Sequence, residues 1–151
     1  MKKYELTDDT ITVGGRILHR IKALKSFSDV EEGDLGGYVE KEDNLDHSGE
    51  AWVYGNARVY GNARVSGDAR VSGDARVSGE NDYAAAKGFG REYRTTTFFR
   101  LQDGGIGVRC GCFCGTLEEF REKVKETHKE SKMGKEYLML ADLMEYKFKN
   151  A

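Results

Sequence analysis

The feature that most constrains the fold is a six-residue unit that repeats five times in succession. The copies are AWVYGN at 51–56, ARVYGN at 57–62, ARVSGD at 63–68, ARVSGD at 69–74 and ARVSGE at 75–80. A period of six is too short for a pair of helices and differs from the seven-residue period of a coiled coil. It suits a chain that forms a short strand, turns a corner and repeats. We therefore predict coils that stack into a solenoid.

Each unit carries the pattern of one short strand followed by one turn. Successive side chains of a strand point to opposite sides, so Ala63 and Val65 are predicted to face the interior while Arg64 faces outward. Valine is β-branched and fills such an interior well. Gly67 then allows the tight corner. The five valines are expected to line the inside of the solenoid.

The unit, with an aliphatic residue at one position and a small residue four later, resembles the hexapeptide repeat of left-handed parallel β-helices. The resemblance implies three units in each triangular coil. With 18 residues per coil, Arg58 is expected to stack on Arg76, Trp52 on Arg70, and Tyr54 on Ser72.

The regular coil is predicted to begin between Leu45 and Ala51. The unit that starts at Leu45 keeps the period but places His47 at the valine position, and the unit before it would place Lys41 inside. A buried, unpaired ammonium group is too costly. Fewer than three coils result, and a solenoid this short needs covered ends and neighbours. A homo-oligomer is therefore expected, a trimer first and a dimer second.

The flanking segments are predicted to cover the two ends of the coil. Around Gly14 and Gly15, two β-rich runs predict a hairpin, and a glycine-rich connector at 27–39 leads into the coil. At the other end, 93–101 and 106–114 predict two strands. Thr116 and Glu119 form a capping box that opens a helix. The last helix is expected to bury one side, at Tyr137, Leu140, Ala141, Met144 and Phe148.

The predicted fold class is α+β, mainly β: a short left-handed parallel β-helix with an N-terminal β-hairpin and a C-terminal ββαα cap. The predicted segments are 1–44 for the hairpin and connector, 45–82 for the β-helix, and 83–151 for the C-terminal module.

Two stretches resemble families of uncharacterised proteins. IKAL, GDLGGYV and WVYG, within 17–80, resemble bacterial and phage hexapeptide-repeat proteins, some of which are labelled acyltransferases or polymer-forming proteins. CFCGTLEEF, and ETH followed by KEY, within 93–148, resemble a small C-terminal module of phage and prophage proteins. The resemblance implies a phage-type protein that acts in the host cytoplasm.

Cys110, Cys112 and Cys114 are the three cysteines of the chain. Their odd number and close spacing do not suit a disulfide framework. Alternate residues of a strand lie about 6.5–7 Å apart, too far to surround one tetrahedral metal ion, and no second Cys or His pair is present. We expect the three thiols to share a face with Ile106 and Val108 and to pack against the helices. No metal and no cofactor are expected.

The acyltransferase resemblance implies a histidine base and an acyl-coenzyme donor. His47 is the best candidate base if the chain is such an enzyme. The array of coils is short for an extended cofactor groove, and no loop interrupts the units. A fold shared with enzymes does not establish catalysis. Catalysis is therefore the alternative and not the main prediction.

Outward aromatic and arginine side chains form the predicted binding set. Large outward aromatic residues mark a surface that is covered by a terminal segment, by a second subunit or by a partner. The sequence leaves these three alternatives open, and a solvated ladder of arginines is also compatible with it. The predicted partner-binding residues are Trp52, Tyr54, Arg58, Tyr60, Arg70 and Arg76.

The charge balance and the lack of long apolar runs bound the function. The formal net charge is −2 and no region is a basic field, which disfavours nucleic acid as a partner. No stretch has the length and apolarity of a membrane span or of a signal peptide, so a cytoplasmic protein is expected. The predicted function is non-catalytic binding of a macromolecular partner by a protein that oligomerises through the short β-helix. The phage resemblance implies that this partner is a host protein and that binding inhibits a host defence component. The alternatives are the acyltransferase, a protein that sequesters a small ligand, and a nucleic-acid binder that clusters Arg91, Arg94, Arg100 and Arg109.

Overall fold

The structure is a computed structural model that describes residues 2–149. It is a mixed α/β protein made mostly of strands, and the outermost positions of the predicted segments, 1 and 150–151, lie outside the described residues. The strands are β1 (Tyr4–Val13), β2 (Arg16–Ala23), β3 (Leu35–Val39), β4 (Trp52–Val53), β5 (Arg58–Val59), β6 (Arg70–Val71), β7 (Arg76–Val77), β8 (Tyr83–Phe89), β9 (Arg94–Arg100), β10 (Ile106–Cys110) and β11 (Phe113–Thr116). The helices are α1 (Leu117–His128) and α2 (Lys132–Lys149).

The repeat region forms three walls of parallel pairs. In the first wall β3, β5 and β7 are neighbours, and in the second wall β4 pairs with β6. The third wall is marked by a parallel bridge between Leu45 and Val65. The stacking of Arg58 on Arg76 and of Trp52 on Arg70 agrees with the predicted offset.

The interior of the repeat region is the one predicted from the alternation. The five repeat valines are completely buried, and the repeat alanines are at most 2% exposed. A fully buried valine side chain contributes roughly 1.5–3 kcal/mol relative to an exposed one. This column of small apolar side chains is therefore the main stabilising feature of the coil.

The first coil begins at β3, earlier in the chain than the predicted start between Leu45 and Ala51. Val39 pairs with Val59, and Leu45 pairs with Val65. The prediction that His47 occupies the valine position was wrong, because Leu45 fills it and is completely buried. A longer corner between Leu45 and Val53 restores the period for the units that follow, and Lys41 stays exposed.

The N-terminal hairpin continues the first wall. As predicted, β1 and β2 are antiparallel and join at Gly14 and Gly15, whose φ angles are 55° and 82°. Because β2 also pairs with β3, the hairpin and the first wall form one sheet in the order β1-β2-β3-β5-β7.

The start of β1 covers the open end of the first coil. Tyr4 is completely buried, and its hydroxyl donates to the carbonyl of Leu45 at 2.6 Å. Lys3 beside it is also completely buried, and its ammonium donates to the carbonyl of Ala51 at 2.6 Å and lies 5.2 Å from the ring centre of Phe27. Burial lowers the pKa of Lys3 from 10.5 to about 8.

The C-terminal module covers the other end of the coil. It is a four-stranded antiparallel sheet in the order β11-β10-β9-β8, and so it has two strands more than the predicted ββαα arrangement. Adjacent residues of β9 serve two cores: Phe99 packs with the coil interior, and Phe98 packs with the helices. Leu101 also forms an antiparallel bridge with Ala75.

Both predicted helices are present, and α2 has the predicted buried face. Thr116 Oγ1 accepts from the N–H of Glu119 at 3.2 Å, while the Glu119 carboxylate accepts from the N–H of Thr116 at 2.8 Å. This confirms the capping box. The inner side of α2 buries the residues predicted for it: Tyr137, Leu140, Ala141, Met144 and Phe148. Within residues 2–149, neither helix has the length and apolarity needed to cross a bilayer.

The corner glycines provide a test of the stacking geometry. Gly61 has φ 63°, and a Cβ added there would lie 2.7 Å from the carbonyl oxygen of Ser78. Gly79 occupies the same place in its unit, but it is extended, with φ −159°, and has open space around it. We predict that Gly61→Ala lowers the free energy of unfolding by about 1–3 kcal/mol, while Gly79→Ala changes it by less than about 0.5 kcal/mol. Urea unfolding of both variants checks this, and equal effects would contradict the stacking shown.

The buried Lys3 predicts a specific pH dependence of stability. The unfolded chain takes up a proton on Lys3 near pH 10.5, whereas the folded chain takes it up only near pH 8. The free energy of unfolding therefore decreases as the pH falls from about 10.5 to about 8. Below about pH 8 the contribution of Lys3 no longer changes with pH. We predict that the free energy of unfolding of the wild type, minus that of Lys3→Met, rises by about 2 kcal/mol between pH 8 and pH 10. If this difference did not change with pH, the pKa of Lys3 would not be lowered in the folded chain, and the burial of Lys3 would be contradicted.

Candidate binding face

The outer side of the first wall carries a row of neighbouring side chains, which we name the arginine row: Arg20, Tyr38, Arg58 and Arg76. Arg20 of β2 is opposite Tyr38 of β3, Tyr38 is opposite Arg58 of β5, and Arg58 is opposite Arg76 of β7. Neighbouring strands lie about 4.8 Å apart, so each side chain of the row borders the next.

The first two members of the row are fixed by their contacts. The guanidinium of Arg20 lies 4.3 Å from the ring centre of Tyr38, and its Nη2 donates to the Tyr38 hydroxyl at 2.6 Å. Nη1 donates to the carbonyl of Gly36 at 2.8 Å, and Nε donates to the carboxylate of Asp9 at 3.1 Å. Arg20 therefore holds the hairpin against the first wall, and its charge is already compensated.

Among residues 2–149, the other two members form no ion pair with a carboxylate, although the charge of Asp74 opposes the lowering of the pKa of Arg76. Arg76 donates to two neutral oxygens, the carbonyl of Ala75 at 2.9 Å and the side chain of Gln102 at 3.1 Å. Within residues 2–149, the Nε of Arg58 is buried without a hydrogen-bond acceptor. Burial, followed by the neighbouring charge of Arg58, holds the pKa of Arg76 below its usual range.

This arrangement suits the binding of an anionic group. Two adjacent guanidinium groups repel each other, and both gain from a shared negative ligand. The planar guanidinium group binds carboxylates with two parallel hydrogen bonds. Tyr60 follows Val59 on the same wall and is half-buried, which adds aromatic contact surface beside the two arginines.

The other three predicted binding residues lie on the second wall, which is covered. Trp52 is only 1% exposed and packs edge-on against Phe27 at 5.3 Å and Tyr4 at 6.2 Å between ring centres. Of the alternatives that the sequence left open, cover by a terminal segment therefore applies to Trp52.

Tyr54 and Arg70 join the connector between β2 and β3 to the coil. The Tyr54 hydroxyl donates to the carboxylate of Asp29 at 2.8 Å, and Arg70 donates to the hydroxyl of Ser28 at 2.5 Å. The guanidinium of Arg109 lies 3.9 Å from the ring centre of Tyr54 and 3.5 Å from the Asp29 carboxylate. These contacts hold together three parts of one chain.

His47 is held by the N-terminal cover. Its Nδ1 accepts from the backbone N–H of Lys3 at 3.1 Å, so Nε2 carries the hydrogen that is donated to Glu42 at 2.9 Å. Its ring stacks on Tyr4 with 4.2 Å between ring centres. Hydrogen bonds from Lys2 and His47 lower the pKa of Glu42. With both nitrogens engaged, His47 has the contacts of a structural residue and no free position for a substrate proton.

The cysteines do not share one packed face. The strand that contains Cys110 ends there, and Gly111, with φ 58°, reverses the chain before Cys112. Cys110 is half-buried beside Thr96, whereas Cys112 and Cys114 are exposed, so the predicted core packing was wrong for these two. In the part of the chain that the structure describes, no three His, Cys, Asp or Glu residues are grouped to hold a metal ion.

Three of the four arginines of the nucleic-acid alternative have partners within the chain. Arg94 pairs with Glu92, and Arg100 pairs with Asp82 at 3.0 Å and donates to the carbonyl of Phe148 at the end of α2. Arg109 lies against the coil instead. Each of these three arginines has a carboxylate partner.

Arg20, Tyr38 and Gln102 were not predicted as members of a site. A signal for Tyr38 is present in the sequence, because Tyr38-Val39 is followed by Arg58-Val59 on the next coil. The longer corner of the first coil hid this correspondence from a strict six-residue count. Gln102 reaches Arg76 only through the tertiary fold, and no local pattern indicates it.

Comparison with known families supports the interpretation of the repeat. The family model described as YdcK Beta solenoid repeat matches residues 51–67 and, overlapping them, 57–72. A comparison with curated proteins finds no match. In this stretch the chain is therefore similar to β-solenoid repeat proteins.

The cover over Trp52 can be tested by fluorescence, because it is the single tryptophan of the chain. We predict that its emission is blue-shifted and weakly quenched by acrylamide, and that Phe27→Ala raises the quenching constant about two- to threefold by opening the packed side of the indole. Leu35→Ala is the control, since Leu35 is exposed at the start of β3. Strong quenching in the wild type would show that the connector does not cover the second wall.

Proposed function

We propose that the protein is a non-catalytic binding protein that recognises an acidic segment of a macromolecular partner through the arginine row. The observation that supports this most directly is the pair Arg58 and Arg76, two adjacent, partly buried cations that form no ion pair with a carboxylate in residues 2–149. Two adjacent cations repel each other, and a bound anion that accepts from their N–H groups removes that repulsion.

The chemistry of the row favours carboxylates over a nucleic-acid backbone. Binding to phosphate backbones depends on an extended field of lysine and arginine. Here the net charge is −2, and the outer side of the first wall offers one adjacent pair of cations, Arg58 and Arg76, and no extended basic field. Such a local pair matches one or two carboxylates of an acidic protein segment.

The side chains of the row are also suited to an interface. Arginine and tyrosine are enriched among residues that contribute most to protein binding. The contacts of Arg20 fix Tyr38, and Gln102 orients Arg76. Preformed side chains lose less conformational entropy when a partner binds.

The resemblances of the sequence extend the proposal to the type of coil and to the origin of the protein. The three-unit coil and its inward alanine and valine positions support a left-handed β-helix. The phage-type segments support a phage or prophage protein that binds a host protein in the host cytoplasm and inhibits a host defence component. The acyltransferase alternative has no support from the contacts of His47.

Charge reversal on the first wall tests the proposed site. We predict that Arg58→Glu weakens binding of a fluorescein-labelled oligoglutamate peptide at least about tenfold, as measured by anisotropy. Arg64→Glu is the matched control, because Arg64 has the same place in the next unit but lies outside the first wall and is exposed. Binding should remain unchanged in this control.

A single-stranded oligonucleotide of equal charge serves as the second probe. Tighter binding of this probe than of the peptide, again lost in Arg58→Glu, would replace the protein partner by a nucleic acid. No binding of either probe, or equal losses in both variants, would refute the arginine row as the site. If the peptide binds as predicted, affinity purification from host cells identifies the partner, with the wild type and Arg58→Glu as paired baits.

A further inference from the structure

The outer face of α2 carries a stripe of large apolar side chains. Met139, Leu143 and Tyr146 are 68%, 57% and 71% exposed. They are spaced four and three residues apart, so they lie one above the other on the same side of the helix. The opposite side of α2 is buried against α1 and the C-terminal sheet. This helix is thus apolar on both sides, as expected of a helix with neighbours on both sides.

The three exposed apolar residues of α2 form a contiguous patch. Single exposed hydrophobic residues are normal on a protein surface, whereas a contiguous patch marks an interaction site. Among the described residues, six large hydrophobic side chains are exposed. Half of them form this stripe, and the others are Ile17, Leu35 and Tyr93.

Charges beside the stripe indicate what covers it. Glu136 and Lys147 lie on the same flank, about 60° and 80° around the helix from Met139 at 100° per residue. A two-fold axis perpendicular to α2 reverses the helix direction and keeps each flank facing itself. An antiparallel second α2 therefore places Lys147 of the second copy opposite Glu136, and the reverse pair forms at the other end.

The same register aligns the apolar residues. With the axis near residue 142, Met139 faces Tyr146 of the second copy, and the two copies of Leu143 meet near the axis. On the other flank Lys135 approaches Lys149 of the second copy, and Asp142 is held by Arg121 at 2.8 Å. One flank therefore attracts and the other mildly repels.

We infer that α2 is the interface of a homodimer, formed by an antiparallel pair of α2 helices around a two-fold axis. Self-association was expected from the short coil, but Tyr4 and Phe99 cover the coil ends within one chain. Among the described residues, the exposed large apolar side chains that lie together are those of α2. Because the stripe is smaller than a standard interface, we expect a dissociation constant in the micromolar range.

Sedimentation velocity at increasing concentration tests the dimer. The wild type should shift from monomer to dimer, and Leu143→Glu should remain monomeric. Ile17→Glu is the matched control, since Ile17 is 56% exposed and lies outside the stripe, and it should dimerise like the wild type. Circular dichroism confirms the fold of each variant. A monomeric wild type at about 100 μM, a trimer, or a dimer that persists in Leu143→Glu would overturn the inference.

A charge swap tests the antiparallel register. Glu136→Lys and Lys147→Glu should each raise the dissociation constant about three- to tenfold, and the double variant should restore it to near the wild-type value. A double variant weaker than either single one would exclude this register. Arg58→Glu should dimerise normally, so failure of the dimer and failure of the proposed binding site are distinguished.

Discussion

The structure depends on closing a short column of buried valine and alanine side chains at both ends. The inward positions from Val39 to Val77 fill a coil that makes little more than two turns, and such a coil leaves a large part of its interior next to an open end. Tyr4 covers the first end and Phe99 covers the second. Segments far from the repeat in sequence are therefore parts of the same core, and the coil is not an independent unit.

The way in which the ends are closed decides which outward side chains remain available. The hairpin adds to the first wall edge to edge, through backbone hydrogen bonds, so the outer side of that wall stays open. The connector instead lies across the second wall and brings Phe27 and Asp29 over Trp52 and Tyr54. Arg58 and Arg70 have the same place in their units but different roles, because the walls that carry them are covered differently.

Local patterns were predictable from the sequence, and contacts between distant segments were not. The alternation that buries Val65, the Gly14–Gly15 turn and the capping box at Thr116 each depend on a few neighbouring residues. The position of Leu45 was missed because a longer corner interrupts the fixed period. The exposure of Cys112 was missed because Gly111 reverses the chain after a strand that the alternation predicted to continue. The arginine row was only half predicted, since Arg20 and Tyr38 become neighbours of Arg58 through sheet order.

Lys3 and Arg58 are two cations with reduced access to water, and they differ in the contacts that they make within the chain. Lys3 is completely buried, but its ammonium has the carbonyl of Ala51 and the ring of Phe27, so its contacts lie within the N-terminal cover. Arg58 lies beside a second arginine, and its buried Nε has no acceptor in residues 2–149. This difference between Lys3 and Arg58 is the physical argument for the proposal that Arg58 binds a ligand from outside the chain.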